Sequence, residues 1–338
     1  MCNPHSHLRE GDVVGPAIEH LWNGGVETIL PMPNTQDGLT TAEHVLEYVE
    51  HAKTSMPDGV NMQFIPCVMI TESTTPEMVN ECISHGIKDA KVYPLNRTTK
   101  SHNGVRDYFK LLSIIQHCGE VGMRVHFHPE HPWMAFNNRE AEHAFLPIIE
   151  MFVRSSDTQI IWEHGTDARC IPFWKELAKT NRFYVTLTAH HLATDEDKTF
   201  GDVRATCKPS IKRPQDMQGL VDLVREDHSW VMAGADDAPH DKSAKHTDNG
   251  PCACGAYTAP FLLPLYAHAL DDMIISDCNK DGFQRFVDTN ARDLYGLQLS
   301  SSDVELERNE MNIHNVYTVG HWSVMPFWAN QVIKWSFC

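Results

Sequence analysis

The stretch "NPHSHLREGD", residues 3–12, decides how this chain is read. His5 and His7 flank one serine, and Arg9 follows two places later. On an extended strand, alternate side chains share a face. His5, His7 and Arg9 are therefore expected in one row, with two imidazoles to grip a metal and a guanidinium beside them to grip an anion. Read as an exposed, His-rich terminus, the same residues carry no chemistry. The choice turns on whether the rest of the chain calls for a strand here.

It does. Working outward, short apolar runs alternate with longer amphipathic ones. Strands are expected at 27–32 ("ETILPM"), 62–70, 89–94, 123–128, 159–164, 183–189 and 229–236. Helices are expected at 41–55, 76–86, 105–122 and 139–156, where apolar residues recur at three and four. Strand–helix alternation implies a parallel sheet with helices outside. Seven strands follow residue 26, and the stretch around His5 and His7 supplies an eighth, placed first. Eight such units make an α/β fold of the (β/α)8 TIM-barrel type with a shortened first strand. An open doubly wound sheet fits less well, because no G-x-G-x-x-G turn is present. Residues 1–338 read as one barrel domain, with about 300–338 as an aromatic-rich C-terminal extension packing back on it. The most apolar run, "APFLLPLYAHAL" (259–270), contains Pro264, is too short to span a bilayer and reads as a buried helix.

Composition narrows the function. Lys and Arg number 28 against 45 Asp and Glu, a formal net charge of −17. That argues against nucleic acid and anionic membranes as partners, but leaves a small anionic substrate open. The ten cysteines lack the density of a secreted disulfide scaffold, so reduced thiols and a cytoplasmic address are expected. "CAC" at 252–254 has no second pair for a structural zinc site and reads as a packed loop.

In a barrel, chemistry gathers at the C-terminal ends of the strands. Those ends carry His5 and His7, Asn34 in "MPN", Lys91 in "AKVYP", His128, His164, and Asp236 in "GADDAPH". Singly, a buried histidine is an ordinary core residue and an aspartate can cap the next helix. Jointly, independent accidents at one end of successive strands are implausible. Imidazoles and carboxylates suit zinc. Four His and one Asp exceed what one catalytic zinc needs, so a two-metal site fits better. Such a pair needs a bridging anion. A buried lysine that has lost its proton can add carbon dioxide and become a carbamate, an anionic bridge.

Taken together, "HSHLREGD", "MPN", "AKVYPLNRTT", "HFHPE", "WEHGT", "TLTAHHL" and "GADDAPH" resemble the class II dihydroorotases of the amidohydrolase superfamily. "CKP" (207–209), "ACGAY" (253–257) and "LYGL" (294–297) add to the resemblance, and "TLTAHHL" with "CKP" looks closer to the fungal branch. The resemblance implies two zinc ions. His5, His7 and Asp236 would hold the more buried one, and His128 and His164 the other. Lys91, as N6-carboxylysine, would bridge them together with a hydroxide. It implies Asp236 as proton shuttle and Arg9, Asn34 and His240 on the substrate carboxylate. Thr98 and Thr99 would lie on a closing loop, and the backbone near Lys208 and Gly255 against a pyrimidine ring. The implied reaction is the reversible cyclisation of N-carbamoyl-L-aspartate to L-dihydroorotate in pyrimidine biosynthesis, by a homodimer. A related cyclic amidase (dihydropyrimidinase or hydantoinase) and a catalytically weak binding subunit are the alternatives. Three positions depart from the family pattern. Asn3 stands where an Asp is usual, only four residues precede His5, and Asp237 stands where a serine is common. A short first strand is expected to weaken the barrel seam, and Asp237 to raise the pKa of Asp236.

Overall fold

Nine short strand segments form eight staves around a closed parallel barrel. They are β1 (Cys2–Ser6), β2 (Thr28–Pro31), β3 (Gln63–Phe64), β4 (Cys67–Ile70), β5 (Asp89–Val92), β6 (Arg124–Phe127), β7 (Ile160–Trp162), β8 (Phe183–Leu187) and β9 (Val231–Ala233). The structure is a computed structural model that describes residues 1–133, 136–248, 250–275, 280–299 and 304–338. The expected strand at 62–70 is split because Pro66 has no N–H to donate to a ladder. Its two halves end one run of parallel pairs, β1-β2-β3, and begin the other, β4 through β9.

The barrel closes between β9 and β1. Ser6 bridges Asp237 in parallel register. His7 N donates to Asp237 O at 2.9 Å, and Asp236 N donates to His5 O at 3.1 Å. Asn3 adds a side-chain clasp, its Oδ1 accepting from Ala235 N at 2.9 Å. The short first strand is thus paired on both sides, and the departure from Asp at position 3 retains an acceptor oxygen.

The helices sit where apolar spacing puts them, with instructive differences at their starts. The helix Ala42–Thr54 is capped by Thr41, whose hydroxyl accepts from His44 N at 3.3 Å, and it buries Ala42, Val45, Tyr48, Val49 and Ala52. The helix expected from 105 begins only with a 3-10 turn at Tyr108 and becomes α-helical at Leu112. Val105 is held elsewhere: its N–H donates to Tyr93 O at 2.7 Å and its carbonyl accepts from Leu95 N at 2.9 Å. Likewise the helix expected from 139 runs from Leu146 to Ser155. Glu142 is fully buried ahead of it, accepting from Thr166 N and Lys212 Nζ at 2.8 and 2.9 Å. The run at 259–270 forms a helix over Leu262–Ala269 that buries six residues. Pro264 falls in its first turn, where no intrahelical N–H is needed. Among the described residues, no helix is long and apolar enough to cross a membrane.

Beyond residue 303, nested antiparallel pairs form one long hairpin: Leu306–Glu307 with Ser336–Phe337, Met311–Asn312 with Val332–Ile333, and Tyr317–Val319 with Trp322–Val324. Val319, Val324, Phe327 and Ile333 are buried, and Phe327 N donates to Tyr257 O at 3.0 Å.

Two stability predictions follow from this geometry. Asn3→Ala strands the buried Ala235 N–H at the seam, and should lower the urea unfolding free energy by about 1–3 kcal/mol, whereas Asn3→Asp should not. Glu72 clasps the segment before the helix that begins at Leu112, accepting from Lys110 Nζ and from the Arg106 and Asp107 backbone N–H groups at 2.8–3.0 Å. Lys110 first, then those N–H groups, hold its carboxyl at about 2, against an ordinary 4.5. A depressed carboxyl stabilises the fold above its unfolded pKa and ceases to do so as pH falls through its folded one. The stability gap between wild type and Glu72→Gln should therefore be full above pH 4.5 and close as pH falls toward 2.

Candidate metal centre

The seam brings residues from opposite ends of the chain to one point. Asp236 Oδ1 lies 3.1 Å from His5 Nε2 and 3.0 Å from His7 Nε2. The single row expected of His5, His7 and Arg9 does not form. Strand β1 ends at Ser6, and Arg9 adopts a left-handed backbone, φ 65°. The chain turns instead, and Arg9 reaches across the mouth to Pro239 O (3.0 Å) and His240 Nε2 (2.9 Å). His164 (φ 40°) and Asp236 (φ 47°) are also left-handed. Such backbone is costly for residues with a Cβ and gathers at functional sites.

His128 and His164 face each other with ring centroids 4.5 Å apart, and His164 lies 5.1 Å from His5. His164 is buried and neither of its ring nitrogens has a hydrogen-bond partner. Burial holds the pKa of His5 and His164 well below the ordinary 6.5, which leaves both imidazoles neutral, their metal-binding form. Burial alone would raise Asp236, but the hydrogen bonds of the His5 and His7 rings hold it well below 3.8. Neutral imidazoles, an ionised carboxylate and an unpartnered His164 make a donor set that fits a metal. His5, His7 and Asp236 place one donor atom each within 4.8 Å of one another, and so do His5, Glu163 and His164.

Lys91 is fully buried on β5 and touches Glu163 Oε2. Burial lowers its pKa to about 7, against the opposing charges of Asp236 and Cys67. Glu163 was not anticipated from sequence. Its carboxylate lies 2.8 Å from His5 Nδ1 and 2.8 Å from His126 Nδ1, and His126 Nε2 lies 3.1 Å from Asp89. Asp89 in turn accepts two 2.7 Å bonds from Arg124. A run of buried polar groups thus braces the underside of the centre. Glu130 likewise lies 2.8 Å from His128 Nε2.

Above these groups opens a narrow, polar-lined cavity. Of the residues singled out from sequence, His5, His7, Arg9, Asn34, Thr98, Thr99, His128, Lys208, Asp236 and Gly255 line it. Lys91 and His164 are not on its wall, and His240 meets it through Arg9. Tyr93, Ala238 and Cys254 line it as well. Tyr93 was legible in principle, two places after Lys91 in "AKVYP". Its hydroxyl donates to Asn34 Oδ1 at 3.1 Å, and Asn34 Nδ2 donates to Thr99 O at 3.1 Å. Thr99 Oγ1 then reaches Cys254 O at 3.3 Å, so the loop of Thr98 and Thr99 lies across the mouth. At Gly255 (φ 153°) a Cβ would stand 2.7 Å from Ala238 Cβ and 3.0 Å from His240 Cδ2, so only glycine fits.

Asp237 does not act on Asp236 as expected. Its Oδ1 turns away to accept from Thr258 N (2.6 Å) and Ala259 N (2.8 Å). Its own pKa, rather than that of Asp236, is pushed up by burial, to about 7. The nine described cysteines are all free thiols. Cys278 lies outside the described residues.

No family model matches the chain. It is 29% identical over 338 residues to the mitochondrial dihydroorotase of Oryza sativa, covering 98% of this chain and 81% of that protein. It is also 29% identical over 353 residues to the dihydroorotase of Saccharomyces cerevisiae, covering 99% and 96%. The crystal structure of Saccharomyces cerevisiae dihydroorotase in complex with 5-fluoroorotic acid superposes with a TM-score of 0.90 at 28% identity, covering all of this chain and 96% of that one. The L-hydantoinase of Arthrobacter aurescens shares the fold alone, with a TM-score of 0.82 at 13% identity over 99% of this chain and 81% of that one. Over nearly its whole length the chain is thus similar in sequence and fold to these dihydroorotases, which share the TIM barrel found here.

Proposed function

We propose that the chain is a dihydroorotase, interconverting N-carbamoyl-L-aspartate and L-dihydroorotate in de novo pyrimidine (UMP) biosynthesis. One observation carries this reading: the metal donors His5, His7, His128 and Asp236 and the buried cation Arg9 line one cavity. Catalysis and recognition of an anionic small molecule thus fall in the same space. In this reading His5, His7 and Asp236 would hold one zinc, His128 and His164 would hold a second, and Lys91, as N6-carboxylysine, would supply anionic donor oxygens to the pair. A pKa of about 7 leaves much of the Lys91 amine unprotonated near neutrality, able to add carbon dioxide with loss of one proton. When bound, such a zinc pair supplies Lewis-acid polarisation of the ring amide and acidifies water.

The chain's own residues do the rest. In the hydrolytic direction Asp236 takes the proton from the attacking water and delivers it to the leaving amide nitrogen. Arg9 pairs with the substrate carboxylate, a role suited to a planar fork. Asn34 and His240 complete that grip. Tyr93 holds the Asn34 carbonyl, so its amide N–H2 faces the loop and cavity. Thr98 and Thr99 close over the substrate, and the backbone at Lys208 and Gly255 meets the ring. The buried Arg9 favours this substrate over the uncharged rings of a dihydropyrimidinase. The proposal includes a cytoplasmic homodimer.

Purified without chelator, the chain should hold about two zinc ions by elemental analysis. Lys91→Ala should lose metal and nearly all turnover, with partial recovery when a short carboxylic acid is added; an unchanged rate would make Lys91 a plain barrel residue. Arg9→Met should keep its metals but lose substrate affinity by about 2–5 kcal/mol, read as a raised KM. Asp236→Asn should instead lower kcat by orders of magnitude in a folded protein. If Arg9→Met binds dihydroorotate as wild type does, the substrate assignment fails.

A further inference from the structure

A second cluster of donor atoms is set by the turn that follows β8. Thr188 caps the short helix Ala189–Ala193, its hydroxyl accepting from His191 N at 3.1 Å. This buries His190 and His191 side by side, ring centroids 4.4 Å apart. The 207–209 segment packs against them and places Cys207 Sγ 3.7 Å from His191 Nε2. His190, His191 and Cys207 each offer one donor atom within 4.8 Å of the others, and all three are buried.

A second observation marks this cluster as more than packing. His190 is fully buried, and neither of its ring nitrogens has a hydrogen-bond partner. A buried polar atom left unpaired is penalised, so native structures rarely keep one without a use. The spacing also suits an ion. Tetrahedral zinc, with N at about 2.0–2.1 Å and S at about 2.3 Å, holds those two donors about 3.5 Å apart. Pro209 O stands 3.1 Å from His191 Nε2 and 3.2 Å from Cys207 Sγ, where a fourth donor would stand. Thr188 Oγ1 lies 2.7 Å from His191 Nδ1. By accepting Nδ1–H it would fix the tautomer that leaves Nε2 free for a metal.

We propose that His190, His191 and Cys207, with the Pro209 carbonyl, form a further binding site for a zinc-class divalent cation, distinct from the donors at the mouth. On binding, the Cys207 S–H bond breaks, the sulfur donates its electron pair to the ion, and one proton leaves to solvent. His191 exchanges its Nε2 proton for one on Nδ1 and stays neutral, so no oxidant or reductant is required. The thiolate selects borderline-soft ions over magnesium or calcium. The ion would tie the 207–209 segment, which carries the cavity residue Lys208, to the end of β8.

Cobalt is the probe, because a thiolate–cobalt bond has a charge-transfer absorption that imidazole and carboxylate ligands lack. The donors proposed at the mouth contain no sulfur, so this band reports on the new site alone. In metal-stripped, cobalt-reloaded full-length protein the band should be present. It should persist in Asp236→Asn and Cys254→Ser, lose most of its intensity in His190→Gln, and vanish in Cys207→Ser. Absence of the band in wild type, or its survival in Cys207→Ser, overturns the proposal. Should Cys207→Ser fail to fold, an unchanged band in His190→Gln overturns it equally. Failure of the mouth reading would instead show as absent turnover with this band intact.

Discussion

The structure depends on the closure of its barrel at one seam. His5 and Asp236, far apart in sequence, become neighbours because β1 pairs with the end of β9. The backbone bond from Asp236 N to His5 O and the side-chain contact from His5 Nε2 to Asp236 Oδ1 have the same length, 3.1 Å. Closing the seam thus brings His5 and Asp236 of the donor set together. The left-handed backbone at Arg9, His164 and Asp236 shows the cost of the arrangement: regular strand geometry is abandoned where side chains must converge.

Burial sets the electrostatics of the centre. It keeps the histidines neutral and lowers Lys91 to about 7. Arg9, in contrast, remains a cation beneath the surface of a chain whose formal net charge is −17. The wall of the cavity thus carries a buried cation whose local field opposes the negative charge of the whole protein at short range. Glu163, His126, Asp89 and Arg124 continue the polar network below, so the residues that face the cavity rest on partners that are themselves fixed.

Much of this was legible in the sequence because period-two and period-3.6 patterns are local. Alternation placed the staves, and the strand ends named most of the cavity wall. What stayed hidden depends on tertiary contacts. The late start of the helix after β5 follows from Val105 pairing with Tyr93 and Leu95, which no helical period encodes. Arg9 shares the site with His7 through a left-handed turn, not through strand alternation, so the right grouping came from the wrong geometry. Asp237 looked like a perturbing neighbour of Asp236, but its direction is fixed by backbone N–H groups of Thr258 and Ala259. Glu163 precedes a recognised histidine in "WEH", yet its link to Lys91 and His5 exists only once the barrel closes.

The central claim is that the metal-donor set and Arg9 act on one anionic ring substrate. Turnover of L-dihydroorotate and of dihydrouracil by the same zinc-loaded preparation tests it most directly, since the two rings differ in the carboxylate that Arg9 would hold. The account predicts efficient hydrolysis of dihydroorotate and little or none of dihydrouracil. Equal or faster turnover of dihydrouracil would contradict it.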